Sequence, residues 1–256
     1  MTKISIGLSG ANGRMCTALA HLVKCDECFE ISFGVDAFLQ DKQQSYPIYK
    51  AFSDTLKCDV VIDFSSPDAT MRALDFALAT ATPIVVATTG HTAWQRQQIQ
   101  NAGNKIPIFY ANNTSLGNYL MLKLAHVAAS FLDDSFDVEI VETHHRIKAD
   151  APSGTAVQIA TAIQQAKEQA FGCQYTVSLG HAGRRKTREI GIHSLRGGTV
   201  VGKHEVLFLG DDERLTITHE AENKSVFVHG ALKAAAFILN KPCGVYGMEN
   251  LLNEKE

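Results

Sequence analysis

The chain has 256 residues, with 24 Lys+Arg against 27 Asp+Glu, a formal net charge of −3, 45% hydrophobic and 20% charged residues. That length fits one large domain or two small ones, and the apolar content excludes a disordered chain. The near-neutral balance gives no bulk attraction to nucleic acid or to an anionic membrane, and no apolar run reaches the ~18 residues of a membrane-spanning helix.

The N-terminus runs at once into a strand pattern, without a signal-peptide core, so a cytoplasmic location is expected. Ile4, Ile6 and Leu8 form an apolar strand that ends in Gly10 and Gly13. Met15, Ala18, Leu19, Leu22 and Val23 then recur at helical spacing. A second strand over 29–35 ends at Asp36, and a third over 60–64 is nearly continuous apolar, as a strand buried on both faces should be. Ser65-Ser66-Pro67-Asp68 starts a helix over 69–79, a strand over 83–87 stops at Thr88-Thr89-Gly90, and a helix over 94–102 precedes a strand over 106–111. This alternation predicts an α/β fold with a doubly wound parallel sheet.

From about residue 115 the pattern changes. A helix over 116–132, with Leu120, Leu124 and Val127 on one stripe, reads as a core or interdomain helix. A strand over 138–142 and a helix over 154–170 follow, then strand-like runs at 175–179, 189–195, 199–201, 205–209 and 214–219. Gathered strands predict a second α+β domain around a mixed or antiparallel sheet, and 227–239 returns to helix. The six cysteines (Cys16, Cys25, Cys28, Cys58, Cys173, Cys243) are too sparse for a disulfide scaffold. Cys25 and Cys28, with His21 before them, lack the further ligands of a zinc site, and no metal is expected.

Two segments carry chemistry. A strand that ends in glycines and opens a helix aims free N–H groups and a positive dipole end at one point, which suits a pyrophosphate. Gly10, Ala11, Asn12, Gly13, Arg14 and Met15 make that loop, and Asp36 stands where a ribose hydroxyl would be bound. Cys16 occupies the third glycine position, so slightly looser helix–strand packing is expected there. The second segment runs from Glu142 through His144, His145, Arg146 and Lys148 to the helix start Ser153-Gly154-Thr155. If the strand stays extended, His144 and His145 point to opposite faces. Histidine is the natural proton donor near neutral pH, and cations beside a helix N-terminus favour a carboxylate-bearing substrate.

At these segments the sequence resembles the dihydrodipicolinate reductase family, in Gly10–Met15, 61–65, 87–90, 110–115, 142–156, 190–198 and 201–202. The resemblance implies a Rossmann-type dinucleotide-binding domain (1–114), an inserted substrate and oligomerisation domain with a mixed sheet (115–225), and a C-terminal helix returning to the first (226–256). It implies NADH or NADPH as cofactor, a cyclic dicarboxylate of the diaminopimelate and lysine route as substrate, and a homotetramer. By position, His144 would be the general acid and Lys148 a second donor. His145, Ser153, Gly154 and Thr155 would hold the carboxylates. Gly10, Ala11, Asn12, Gly13, Arg14, Met15, Asp36, Thr88, Thr89, Gly90, Ala111, Asn112, Asn113 and Thr114 would contact the nucleotide. Asp36 has no arginine beside it to receive a 2′-phosphate, so NADH is expected to serve at least as well as NADPH.

Another Rossmann oxidoreductase acting on an amino acid or semialdehyde, or a non-catalytic NAD(P)-sensing protein, remains compatible with the same pattern. The basic run Arg184-Arg185-Lys186 with Arg188 reads as a solvated loop or one that closes toward a dicarboxylate. His181, His193, His204, His219 and His229 read individually as structural or surface residues.

Overall fold

The computed structural model describes residues 2–38, 44–180 and 183–253; His181 lies outside them. The elements in chain order are β1 (Ile4–Ser9), α1 (Arg14–Val23), β2 (Phe29–Val35), β3 (Ile48–Tyr49), β4 (Val60–Asp63), α2 (Pro67–Thr80), β5 (Ile84–Val86), α3 (Ala93–Ala102), β6 (Pro107–Tyr110), α4 (Leu116–Phe131), β7 (Asp137–His144), α5 (Gly154–Phe171), β8 (Thr176–Leu179), β9 (Glu189–Arg196), β10 (Gly202–Leu209), β11 (Arg214–Ala221), α6 (Ser225–Ile238), β12 (Gly244–Tyr246) and α7 (Met248–Asn253). They form two compact units, Met1–Ser115 with Lys224–Glu256, and Leu116–Asn223.

The first unit is a parallel seven-stranded sheet in the order β12-β6-β5-β4-β1-β2-β3. Its central strands β4 and β5 are buried at every position, which is why their sequences are unbroken apolar runs up to Asp63. Ala73, Phe76 and Ala77 of α2 and Ile99 and Ala102 of α3 pack with Val61, Ile84, Val86 and Ile108. Fully burying each such branched side chain stabilises the unit by about 1.5–3 kcal/mol, enough to hold strands only three or four residues long. β1 is followed by β2 on one side and flanked by β4 on the other, so the sheet reverses direction of growth between β1 and β4. In an open α/β sheet, ligands bind beyond the carboxyl ends of the strands at such a reversal.

The register sharpens this. Ser9 pairs with Val35 and with Asp63, Asp63 with Val86, and Val86 with Tyr110. These five residues of one row are followed in sequence by Gly10, Asp36, the 64–66 turn, the 87–90 turn and Ala111. The loops expected to meet a nucleotide therefore leave the sheet side by side.

The second unit is a mixed five-stranded sheet in the order β11-β10-β7-β9-β8, with β10 antiparallel to β7 and β11, and β7, β9 and β8 parallel. Val138, Ile140, Val206 and Phe208 pack with Met121, Ala125 and Ala129 of α4 and Ile159 and Ile163 of α5. Two expectations are corrected here. Leu120, Leu124 and Val127 are 55%, 47% and 50% exposed, because α4 turns its small residues Ala125 and Ala129 inward, where a narrow face permits close approach. Residues 199–201 form no strand; they are the end of a turn that delivers the chain into β10. Lys167 of α5 is fully buried, with Nζ donating to the carbonyls of Leu132 (2.6 Å) and Asp133 (2.8 Å). It supplies donors at the C-terminal end of α4, where helix carbonyls lack partners of their own.

Candidate active site

In the first unit the loop after β1 is built around Gly10, whose φ of +80° is a left-handed conformation and whose absent Cβ would lie 2.9 Å from the Phe64 carbonyl oxygen. Only glycine meets both demands without strain. The loop spends most of its own donors: Gly10 and Ala11 donate to the Val35 carbonyl, Gly13 donates to the Gly10 carbonyl, and Asn12 N–H donates to Asp36 Oδ2 at 2.9 Å. The donors left for an anion are the first N–H groups of α1, from Arg14 onward, because Gly13 at the N-cap offers no side chain to occupy them. Cys16 is fully buried and its thiol donates to the Ser9 carbonyl, so the packing there is closed, not looser. Burial pushes its pKa up, and Asp63 and Asp36 add to that.

Asp36 also accepts from Phe38 N–H at 3.0 Å. It lines a cavity of about 310 Å³ together with Gly10, Gly13, Phe38, Lys50 and Arg72. Lys50 and Arg72 are distant from Asp36 in sequence, so reading the neighbours of Asp36 could not find them. Among the described residues, Asn12 Oδ1 is buried without a hydrogen-bond partner. An uncapped helix N-terminus, an unpaired buried acceptor and an adjacent cavity holding a carboxylate and two cations fit a dinucleotide. Thr88 stands apart from the other expected contacts: its hydroxyl donates to buried Asp63 at 2.8 Å and accepts from Ser65 N–H at 2.8 Å. Asp63 also accepts from Thr70 (2.6 Å) and Ser65, so it ties the loops after β4 and β5 together. Thr89 and Gly90 are exposed, with Gly90 at φ +87°. Ala111 and Thr114 are buried, Asn112 is exposed, Asn113 accepts from Ser115 N–H, and Thr114 donates to the Phe227 carbonyl at 2.6 Å. Gly230 of α6 lies against that loop so closely that a Cβ would collide with the Thr114 carbonyl.

In the second unit β7 ends at His144, and His145 lies beyond the strand, so the simple alternation expected for the pair stops one residue early. The alternation instead brings Glu142 and His144 to the same, helix-covered face. Glu142 is fully buried and accepts from His144 Nδ1 (2.5 Å), from both terminal nitrogens of Arg196 (2.9 and 2.7 Å) and from Ser153 N–H (3.1 Å). Burial alone would raise its pKa; bonds from Arg196, Ser194 and His144 outweigh it and bring the carboxyl down to about 2. Burial lowers the pKa of His144, and the Glu142 carboxylate opposes that shift.

Ser153 is the N-cap of α5: its hydroxyl oxygen accepts from Ala156 N–H at 3.2 Å and sits 3.0 Å from His204 Nε2. The hydroxyl is thus committed to the helix start and to His204, whose pKa burial brings down to about 4. Gly154 has open space where a Cβ would be, and the first N–H groups of α5 at Gly154 and Thr155 carry the anion-binding character of the helix end. Lys148 Nζ donates to both oxygens of Asp150 (2.7 and 2.8 Å), which commits two of its three N–H donors. Arg146 is exposed, and His145 Nδ1 is buried without a partner among the described residues. The basic run is largely tied down: Arg185 bonds Asp137 and Glu139, and Arg188 bonds Asp134. Cys25 and Cys28 are exposed thiols, and no cluster able to hold a metal is present among the described residues.

Family models described as dihydrodipicolinate reductase, N-terminus and C-terminus, match residues 4–114 and 117–252. The chain belongs to the dihydrodipicolinate reductase family. A 4-hydroxy-tetrahydrodipicolinate reductase of Caldanaerobacter subterraneus subsp. tengcongensis is 41% identical, covering 98% of this chain and 99% of that protein, and one of Rickettsia bellii is 41% identical over 98% and 96%. A solved, dipicolinate-bound dihydrodipicolinate reductase from Paenisporosarcina sp. TG-14 matches with a TM-score of 0.79 and 27% identity, covering 97% of this chain and 99% of that one. The family makes the chain an NAD(P)H-dependent oxidoreductase. An aspartate dehydrogenase from Thermotoga maritima, at 11% identity and TM-score 0.53, shares the fold alone.

Sequence reasoning gave no site role to Glu142 and Arg196, which lie inside the matched segments, and read His204 as structural or surface. Glu142 and His144 are two residues apart on a strand, a spacing that signals a shared face. Arg196 and His204 carried no such signal, because they reach Glu142 through strand pairing: His144 registers with Arg196, and Glu142 with His204.

Proposed function

We propose that the chain reduces 4-hydroxy-tetrahydrodipicolinate to tetrahydrodipicolinate, in diaminopimelate and lysine biosynthesis, with loss of water. The observation that carries the assignment to this site is the buried Glu142–His144 pair beside the Ser153 helix start, in a chain that matches the family over both units. His144 is the proton donor and Lys148 a second donor. His145, Ser153, Gly154 and Thr155 hold the two carboxylates, with Ser153 acting by capping the helix that presents the N–H groups of Gly154 and Thr155. A bound nicotinamide supplies the hydride.

Addition of hydride to a conjugated imine leaves an enamine-like anion, and an imidazolium on a buried strand end can protonate it. Cations near that anion lower the barrier more effectively where water is excluded. Gly10 to Met15, Asp36, Thr88 to Gly90 and Ala111 to Thr114 form the nucleotide site, where Gly10, Thr88 and Thr114 act by shaping their loops. NADH serves at least as well as NADPH, because the Asp36 carboxylate is fixed by two backbone donors at the end of β2. Lys50 and Arg72 in the same cavity provide the counter-charge that lets NADPH be used as well.

The unit of residues 116–223 also carries the assembly surface. Its helices pack against alternate residues of β7 and β10, which leaves Val141, Leu207 and Leu209 on the other face of the sheet. A homotetramer formed through that face, working in the cytoplasm, completes the reading. The deciding experiment follows NAD(P)H oxidation with freshly generated substrate for the wild type, His144→Gln and Lys148→Ala. Each variant stays folded and loses roughly two or more orders of magnitude in kcat. Wild-type turnover with both variants unimpaired would reject these roles.

A further inference from the structure

We propose that Glu142 is the positioning residue for this reaction: it accepts a hydrogen bond from His144 Nδ1–H and so leaves Nε2 as the nitrogen that exchanges a proton with substrate. The proposal rests on the reading of His144 as proton donor.

A carboxylate can only accept, so the 2.5 Å contact between Glu142 Oε2 and His144 Nδ1 requires the proton on Nδ1. The ring cannot turn over without breaking that bond inside a buried site. Glu142 is equally fixed. Its two oxygens accept from His144, from two Arg196 nitrogens and from Ser153 N–H, with Ser194 as a further side-chain donor. Arg196 is anchored in turn by the carbonyls of Leu195 and Asp150, both at 2.7 Å. The chain of restraint therefore runs from β9 through Arg196 and Glu142 to a single orientation of His144.

The other nitrogen is left clear by the sequence. A Cβ at position 202 would stand 3.1 Å from His144 Nε2, and the residue there is glycine. His204 flanks the ring edge-on, with centroids 5.2 Å apart. The charged and titratable groups facing His144 are Glu142 on its own strand, Lys148 from the loop after it, Arg196 from β9 and His204 from β10. Glu142 alone among them favours the protonated ring, so it sets tautomer and proton affinity together. In the step itself the Nε2–H bond breaks as a C–H bond forms at the substrate anion. The electron pair of the broken bond stays on Nε2. His144 is then neutral, with the proton on Nδ1 still donated to the Glu142 carboxylate, and solvent reprotonates Nε2.

The test is Glu142→Gln, read by kinetics and by nitrogen-15 NMR of the histidine rings. The amide offers one oxygen and one NH₂ where only donors converge, so His144 loses its fixed acceptor. Expected are a fall in kcat of roughly 100-fold, on the scale of a misoriented acid, and substrate KM within about threefold. The falling limb of the kcat/KM profile should move to lower pH, since the ring loses the group that favours its protonated form. Glu142→Asp should recover part of kcat. In the wild type, His144 should show the Nδ1–H tautomer when neutral. An Nε2–H tautomer in the wild type, or a Glu142→Gln enzyme with undiminished kcat and an unmoved pH limb, overturns the proposal. The tautomer reading needs no variant, so it decides the matter even if Glu142→Gln does not fold. His144→Gln with full activity would instead overturn the proton-donor reading beneath it.

Discussion

The acid response of the second unit follows from Glu142. Its carboxyl is held at about 2 against an ordinary 4.5, and the group is fully buried, so solvent screening does not reduce the effect. A depressed carboxyl pKa stabilises the folded state at every pH above the unfolded value, and the stabilisation is lost as pH falls toward the folded value. At 1.36 kcal/mol per unit, the depression amounts to about 3 kcal/mol. By pH 3 about 2 kcal/mol of that should be gone, because the unfolded carboxyl is then largely protonated and the folded one is not. His204 is depressed as well and loses stability below about 6.5; the Glu142 carboxylate partly offsets that depression, so removing it deepens the His204 loss and trims the change in the gap.

The comparison is therefore Glu142→Gln against its parent, both in a His144→Gln background, so that His144 does not titrate. Urea unfolding is followed by circular dichroism, with the single tryptophan, Trp94, reporting the first unit separately. The variant should be less stable at pH 7, and the gap should shrink by up to about 2 kcal/mol on going to pH 3, less the part that the His144 charge contributes in the native cluster. The amide's mismatched hydrogen bonds contribute a part that does not vary with pH, so only the change in the gap counts. A gap that stays constant from pH 7 to pH 3 would refute the idea that Arg196 and its neighbours hold Glu142 ionised.

Three further outcomes are expected. For the nucleotide, kcat/KM with NADH should equal or exceed that with NADPH, and Arg72→Ala should lower the NADPH value while leaving NADH within about threefold; a clear wild-type preference for NADPH would overturn the role given to Asp36. Lys167→Met should cost about 1–3 kcal/mol in thermal or urea unfolding, since it strips charged donors from the Leu132 and Asp133 carbonyls, and an unchanged or raised melting temperature would contradict this. In sedimentation equilibrium the wild type should run as a tetramer and Leu207→Arg as a smaller species; a wild type at the mass of one chain would remove the assembly surface from consideration.

The two sheets were legible in different degrees for a physical reason. The strands of the first unit are buried on both faces and separated by helices, so their apolar runs and glycine stops stand out one by one, and parallel connection follows from the alternation. The short edge strands β3 and β12 have two and three residues and no such pattern. They form because a neighbour's backbone is there to pair with, which is tertiary information. Helix α4 shows the same limit in another guise. Its Leu120, Leu124 and Val127 stripe and its Ala125 and Ala129 stripe both have helical period, and hydrophobicity alone favours the wrong one. Size decided the matter, because a face of alanines can lie closer to α5 and the sheet.

The site divides along the same line. Residues that lie together in the chain, from His144 to Thr155, were found as a cluster; so were Gly10 to Met15. What the cluster could not disclose is which of its members are free to act. Thr88 and Ser153 look like ligand-binding hydroxyls in sequence, yet each is consumed by a buried acid or a buried histidine. Lys148 looks free, yet Asp150 two residues on holds it. Conversely, Arg196 was given no role of its own, and the parallel pairing of β7 with β9 makes it the clamp on Glu142. A strand's register converts a separation of 54 residues into a bond of 2.7 Å. The cluster's chemistry is therefore written locally, while its orientation is written in the sheet: removing Arg196 should impair His144 because the side chain that orients the ring, Glu142, loses its clamp.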